Sequence, residues 1–109
     1  MTKYFLCRLI PPRPTFMMDM TQREAETMQA HGAYWKHLAE AGTAIAFGPV
    51  ADPNGGWGVG IIAVTDDDEL RRLQNDDPAI RESLGMKYEA YPMPTLILGS
   101  KPPQLAASP

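Results

Sequence analysis

The residue of this chain best suited to chemistry is His31, which falls in the apolar stripe of a helical pattern. Met28, His31, Trp35, Leu38 and Gly42 follow one another at spacings of three and four, which places them along one side of a helix. An imidazole gains or loses a proton near neutral pH, so it can act as a general acid or base. His31 is therefore either a hydrogen-bonded core histidine or a group that acts on a bound molecule.

Other side chains could serve a small-molecule site beside His31. Aromatic residues could form its walls, and the candidates are Phe16, Trp35, Phe47 and Trp57. Asp52 follows Gly48 and Pro49 at the mouth of a glycine-rich turn, where it is either a turn residue or a carboxylate partner for His31. Arg8 could bind a substrate carboxylate or form an ion pair within the chain.

The sequence offers no pattern typical of a metal or cofactor site. At about 3.6 residues per turn, the ring of His37 lies roughly 120° around the helix from His31, so the two histidines cannot share a metal ion. No cysteine and histidine cluster, phosphate-binding glycine loop or nucleophile motif is present. We expect a site that works without a metal or cofactor.

Composition narrows the class of protein. The 109 residues suit one domain, and the formal net charge is -3, with 10 Lys and Arg that do not cluster. Nucleic acid and anionic membranes are therefore not expected partners. The single cysteine, Cys7, lies in an apolar run, and no apolar stretch approaches the roughly 20 residues of a membrane span. We expect a cytoplasmic protein with a reduced, buried thiol.

The first half of the chain predicts a strand, a helix and a hairpin. Residues 3–10 are apolar and end at two prolines, so they predict a strand, followed by a loop over 11–19. Thr21 and Glu24 form a capping-box pattern that begins a helix, and Gly42 ends it. Residues 43–47 and 57–64 predict two antiparallel strands, the first broken by Gly48 and Pro49.

The second half predicts two helical segments and a last strand. The acidic run 66–69 is typical of a helix start, with Leu70 and Leu73 facing inward. Asp77 and Pro78 predict a cap and the first position of a short helical turn. Residues 87–98 predict a strand whose prolines require an edge position or a bulge. The tail, 99–109, is expected to be disordered.

This element order predicts an α+β domain over residues 1–98. Strand, helix, strand, strand, helix, strand is the ferredoxin-like plan, in which helices cover one face of a four-stranded antiparallel sheet. The other face is left apolar, and a small domain would expose it to water. Pairing of two copies through their sheets would cover it, so we expect a homodimer.

In its element order and short motifs, the chain resembles the YCII-related family of the dimeric α+β barrel superfamily. The resemblance covers residues 3–98 and depends on short motifs in a set order. They are His31 with Tyr34 and Leu38, then Gly42, Gly48-Pro49, Gly58 or Gly60, Asp77-Pro78 and Tyr91-Pro92. It implies a ferredoxin-like fold, a dimer, and an active site with a histidine and an aspartate, which match His31 and Asp77. One branch of the family resembles a dehydrochlorinase acting on a chlorinated hydroxyquinol.

A histidine and aspartate pair has a clear chemical use. A carboxylate that accepts one ring N–H fixes the tautomer, and the other nitrogen is then free to act as a base. Asp77 and Asp52 both stay open as the partner of His31. We expect a small-molecule enzyme with lyase, isomerase or dehydrochlorinase-like chemistry, in which Trp35, Phe47, Gly48, Pro49, Asp52 and Arg8 bind the substrate. The alternative is a non-catalytic ligand-binding or accessory module of the same fold.

Overall fold

Alternating apolar residues build a four-stranded antiparallel sheet with helices packed on one face. The computed structural model describes residues 1–101, so residues 102–109 of the expected disordered tail lie outside the described residues. The elements are β1 (Lys3–Ile10), α1 (Phe16–Asp19), α2 (Gln22–Glu40), β2 (Ala44–Val50), β3 (Trp57–Val64), α3 (Asp67–Asp76), α4 (Pro78–Arg81) and β4 (Lys87–Met93). The strand order β2-β3-β1-β4 is compatible with a ferredoxin-like arrangement.

The core lies between the helices and one face of the sheet. Alternate residues of the central strand β1, namely Phe5, Cys7 and Leu9, are buried toward the helices. One buried cluster joins the sheet to α2 and α3, and it contains Phe5, Cys7, Trp35, Leu38, Ala44, Ile62, Val64 and Leu70. A second cluster joins β1 to α1 and α4, and it contains Leu9, Phe16, Ala79 and Met86.

The opposite face of the sheet carries no helix among residues 1–101. It presents the other residues of β1, including Leu6, which pairs with Ile61 of β3 and Tyr91 of β4. Leu6 and Ile61 are partly buried and Tyr91 is exposed. The sheet therefore has an open face with apolar side chains at its centre, as the sequence predicts.

Helix α2 begins and ends as the sequence predicts. Glu24 N donates to Thr21 Oγ1 at 3.1 Å and Thr21 N donates to Glu24 Oε1 at 2.9 Å, which completes the capping box. Gly42 takes a positive φ of 81° just after the helix. Between these two ends, the apolar stripe of α2 buries Trp35 and Leu38 against the sheet.

One turn of helix, α1, replaces part of the expected loop over 11–19. Phe16 is 1% exposed, so burial of its ring fastens this segment to the core. Arg13 Nε donates to Asp19 Oδ1 at 2.8 Å, and Thr15 Oγ1 donates to Asp19 Oδ2 at 2.6 Å. Arg13 also donates two hydrogen bonds to Glu24, each 2.8 Å long, which ties the turn to α2. Burial of Phe16 and the bonds from Arg13 to Glu24 depend on tertiary packing, so local propensity did not predict this turn.

The prediction that Gly48 and Pro49 break the second strand is wrong. Strand β2 continues through both residues to Val50, and Pro49 pairs with Gly58. A proline is tolerated there because β2 is an edge strand, where one side of the strand has no neighbour to bond. The irregularity lies earlier, between Ala44 and Ala46, where the register shifts.

The last strand is shorter than predicted. Strand β4 ends at Met93 rather than Leu98, although Pro92 stays within it opposite Phe5. Its edge position explains how it accommodates Pro92. In the part of the chain that the structure describes, no helix is long and apolar enough to cross a membrane.

Candidate functional site

A cavity of about 250 Å³ lies between the helices and the sheet. Its walls come from the helices and the sheet: Phe16 and Met17 of α1, Met28, His31 and Trp35 of α2, Phe47 and Pro49 of β2, Gly58 and Gly60 of β3, Tyr88 of β4, and Met86 just before β4. Most of these side chains are apolar. The cavity therefore suits a small molecule with little exposed polarity.

His31 borders this cavity and is held by Asp77. Its Nδ1 lies 2.9 Å from Asp77 Oδ1 and 2.8 Å from Asp77 Oδ2. An ionised carboxylate only accepts hydrogen bonds, so Nδ1 carries a proton, and in the neutral ring Nε2 presents a lone pair. Within residues 1–101, Arg8 Nε is the one buried side-chain nitrogen or oxygen without a hydrogen-bond partner. Nε2 of His31 is therefore not sealed in the core, and the His31 side chain is 16% exposed.

Asp77 is fully buried and accepts hydrogen bonds from four groups. Besides His31, they are Ala79 N at 2.9 Å, Trp35 Nε1 at 3.1 Å and the Tyr88 hydroxyl. Burial by itself would raise the pKa of the Asp77 carboxyl, but the bonds from His31, Tyr88 and Ala79 outweigh it and hold the pKa below its ordinary value. Asp77 is therefore ionised at neutral pH although its residue is 0% exposed.

Local sequence places Asp77 at a junction of two helices. It ends α3, where its N–H donates to Gln74 O at 3.3 Å, and its carboxylate caps α4 through Ala79 N. Pro78 occupies the first turn of α4 and needs no hydrogen-bond acceptor for a backbone N–H. Because α4 packs against α2, this cap also faces His31. The cap expected from the sequence and the His31 partner are thus the same carboxylate.

Trp35 connects the carboxylate to the sheet. A Cβ on Gly60 would lie 2.5 Å from the Trp35 ring, so the indole rests directly on the backbone of β3. At its other end Nε1 also donates to Tyr88 Oη at 2.9 Å. The ring centroids of Trp35 and Phe47 are 6.0 Å apart, and those of His31 and Trp35 are 6.4 Å apart. Trp35 is therefore fixed at both ends while it lines the cavity.

The predicted site residues divide into two groups. Trp35, Phe47, Gly48 and Pro49 border the cavity with His31. Arg8 and Asp52 do not. The Arg8 guanidinium carbon lies 4.5 Å from the centroid of the Trp57 ring, and Arg8 Nη1 lies 3.7 Å from Glu89 Oε1 on the open face. The pairing of Arg8 within the chain is the interpretation that the structure favours.

Asp52 belongs to the β2–β3 turn. It accepts from Asn54 N at 2.8 Å and from Trp57 Nε1 at 3.1 Å, and these two bonds hold the pKa of its carboxyl below the ordinary value. Of the two carboxylates left open by the sequence, the structure brings Asp77 to His31 and keeps Asp52 in the turn. His37 is exposed at the far end of α2.

Tyr88 is the site residue that sequence reasoning missed. It pairs with Leu9 across β1 and β4, so both face the helices. Burial and the Asp77 carboxylate raise the pKa of Tyr88, which keeps its hydroxyl protonated as a donor. The strand alternation of β4 could have placed Tyr88 on this face, but its partner Asp77 lies on another element.

The site offers few metal ligands. Within the described range, 1–101, no three or more His, Cys, Asp or Glu side chains are grouped so that they could hold a metal ion. His31 and Asp77 are bonded to each other, which leaves Nε2 as the available nitrogen. The arrangement can accept a proton from a molecule in the cavity and return it.

Comparison with known proteins adds a family and a weak structural likeness. The YCII-related domain matches residues 4–94. No curated protein matches the chain. A solved structure, that of the uncharacterized protein TM1266 from Thermotoga maritima, is 12% identical and covers 85% of this chain and 99% of its own, with a TM-score of 0.49. The family match extends from β1 through β4, and on that evidence the chain belongs to the YCII-related family.

Proposed function

We propose that this protein is an enzyme that moves a proton to or from a small molecule bound in the cavity. His31 acts as the general base and acid, and Asp77 is its positioning residue. The observation that carries the proposal is a buried, ionised carboxylate bonded to the ring of a histidine that borders an apolar cavity. A purely structural core histidine, bonded to a backbone carbonyl, would have neither the carboxylate partner nor the cavity beside its ring.

The proposed chemistry follows from the tautomer. Nε2 takes a proton from a hydroxyl or an acidic carbon, and the imidazolium that forms is stabilised by Asp77 at 2.8 Å from Nδ1. Positioned proton transfer contributes roughly 10²–10⁴-fold to a rate. Removal of a proton in this way suits a lyase, an isomerase or a dehydrochlorinase-like reaction. Trp35, Phe47 and Pro49 would hold the substrate beside the ring.

A homodimer formed through the open sheet face is part of the proposal. That face contains Leu6, Ile61 and Tyr91, which one chain leaves in contact with water. Burial of such a face against a second copy removes apolar surface from water at about 25 cal/mol per Å². The cavity lies on the opposite, helix-covered side of the sheet, so the dimer would leave it accessible.

The test uses 5-nitrobenzisoxazole, a flat molecule that a base opens by removing one ring proton. The N–O bond breaks as the proton leaves, and the coloured nitrophenolate product is measured directly. The wild-type protein should accelerate this reaction about 10²-fold or more over buffer. His31→Gln should lose that acceleration, because the amide cannot take the proton.

The matched control is His37→Gln, which removes the other histidine of α2. His37 is exposed and lies outside the cavity, so this variant should retain the wild-type rate. Equal rates in the wild-type protein and His31→Gln would contradict catalysis by His31. If the probe binds but the wild-type protein and His31→Gln react with it at the same rate, the protein would instead be the non-catalytic ligand-binding module.

A further inference from the structure

We propose that the cavity beside His31 selects an uncharged, flat molecule of about ten non-hydrogen atoms with one hydroxyl group facing His31, and that it rejects carboxylates and phosphates. This inference rests on the proposed function, since it assigns a ligand class to the same site. Four features of the cavity support it: its size, the charge of its lining, its hydrogen-bonding groups and its shape.

Size limits the part of the ligand that lies inside the cavity to one substituted ring or two fused rings. The cavity measures about 250 Å³. An apolar protein cavity of about 150 Å³ holds benzene, so scaling by volume gives room for about ten non-hydrogen atoms. Nucleotides, peptides and other large metabolites would extend out of the cavity into solvent.

The lining carries no fixed positive charge. Of the described residues, none that borders the cavity is a lysine, an arginine, an aspartate or a glutamate. Arg13 is on the neighbouring segment, but its guanidinium is bonded to Glu24 and Asp19. A carboxylate or phosphate would therefore leave water without a cationic partner, unless His31 first took up a proton. Burial of an unpaired anion is strongly unfavourable.

The hydrogen-bonding groups of the lining are almost all occupied. Trp35 Nε1 and the Tyr88 hydroxyl are bonded to each other and to Asp77. Cys7 Sγ accepts from Gln74 Nε2 at 3.7 Å, and burial raises the pKa of the thiol to about 11. His31 Nε2 is the remaining side-chain group, and as an acceptor it suits a ligand hydroxyl. One polar group on the ligand is thus matched, and a second would lose its bonds to water.

Shape favours a flat ring. Gly58 and Gly60 add no side chains on the sheet side, and Trp35 and Phe47 present ring surfaces with centroids 6.0 Å apart. Aromatic rings pack against such surfaces in offset or tilted arrangements. In the bound state the ligand O–H donates to Nε2. On proton transfer the O–H electron pair stays on the oxygen, and Asp77 balances the imidazolium.

The test compares 4-ethylphenol with 4-methylbenzoate, two flat ligands of similar size. At about pH 8 the phenol is neutral and the benzoate is ionised. Calorimetry with the wild-type protein should give a dissociation constant at least about tenfold lower for 4-ethylphenol. Equal affinities, tighter binding of 4-methylbenzoate, or no binding of either ligand would overturn the assignment.

Two controls separate polarity from size. His31→Phe should weaken the binding of 4-ethylphenol several-fold. It should leave the affinity for 4-ethyltoluene, which lacks the hydroxyl, unchanged. At Gly58 an added Cβ meets Leu9 Cβ at 3.5 Å, an ordinary contact, so Gly58→Ala should fold. Because the added methyl group fills part of the cavity, this variant should bind both ligands more weakly. The 5-nitrobenzisoxazole rate is measured separately. If the protein prefers the neutral ligand while His31→Gln leaves the 5-nitrobenzisoxazole rate unchanged, that result would contradict the proposed enzymatic function but not the proposed ligand class.

Discussion

Asp77 shows how a carboxylate can stay ionised inside a small domain. Burial of a charge costs several kcal/mol unless every lone pair is satisfied. Here His31, Trp35, Tyr88 and Ala79 each donate to it, and its pKa stays below the ordinary value. The same bonds that stabilise the charge also orient the His31 ring. Structure and proposed chemistry therefore depend on one residue.

We predict that Asp77→Asn lowers the free energy of unfolding by about 3–5 kcal/mol at pH 7, because an amide cannot accept from all four donors. The pKa of Asp77 is lowered in the folded state, so its stabilisation is complete above about pH 4 and is lost as the pH falls through the folded value. Urea unfolding at pH 7 and at about pH 3 should show the difference between wild type and variant shrinking in acid. A difference that grows in acid would contradict an ionised Asp77.

Tyr88→Phe should both destabilise the protein and slow the probe reaction. Loss of a hydrogen bond to a charged group costs about 1.5–3 kcal/mol, and Asp77 would hold His31 less firmly. The matched control is Tyr34→Phe, because the Tyr34 hydroxyl donates to Leu73 O at 2.6 Å and not to Asp77. This control should lose stability and keep its rate with 5-nitrobenzisoxazole. Equal rates in the two variants would show that Tyr88 is only structural.

Among individual residues, the sequence predicted His31 and Asp77 as candidate site residues but not the hydrogen-bond network around them. The helical stripe indicated His31, and the family resemblance matched Asp77 to its partner, while the residues alone left Asp77 and Asp52 both open. Tyr88 bonds to Asp77 only because β4 lies beside β1 in the sheet. Such a contact depends on the three-dimensional arrangement, which no local pattern encodes.

The contact of α2 with β3 sets the position of the site. Trp35 approaches the strand closely at Gly60, where any side chain would collide with the indole. This close approach places Nε1 within reach of Asp77 and Tyr88. The helix and the sheet are therefore locked together at the cavity wall.

Gly60→Ala should destabilise the protein by about 1–3 kcal/mol, the usual cost of overpacking, since Trp35 is held at its other end. Gly48→Ala is the matched control on the neighbouring strand, because a Cβ there meets nothing within 4 Å. It should change stability by less than about 0.5 kcal/mol. Equal losses in the two variants, measured by urea unfolding, would contradict the close contact of Trp35.

The elements with local signals were predicted well, and those without them were not. The capping box of Thr21 and Glu24 and the positive φ of Gly42 define α2 as expected. Helix α1 depends on burial of Phe16 and on the bonds from Arg13 to Asp19 and Glu24, which no helical periodicity indicates, so its segment was expected to be a loop. Strand β2 survives Pro49 because of its edge position, which only the sheet order reveals.

The two faces of the sheet differ. The cavity lies on the helix-covered face, and the opposite face exposes apolar side chains. The proposed dimer would cover that face and leave the cavity open. Light scattering should then give a mass of twice the 12.0 kDa of the chain. Ile61→Asp, at the centre of the open face, should shift the mass to the monomer because it would bury a charge.

The control for the dimer is Gln29→Asp, which adds the same charge on the exposed surface of α2. This variant should keep the mass of the wild-type protein. A wild-type mass of 12.0 kDa at concentrations around 0.1 mM would contradict the dimer, although it would not affect the site within one chain.

The central claim is that Asp77 fixes the His31 tautomer so that Nε2 meets the ligand. Nitrogen NMR of the His31 ring tests it most directly, with 4-ethylphenol added stepwise to the labelled protein. We predict a protonated Nδ1 whose signal scarcely moves and an unprotonated Nε2 whose signal shifts as the phenol binds. A proton on Nε2 in the neutral ring, or binding of the phenol that leaves the Nε2 signal unchanged, would contradict the account.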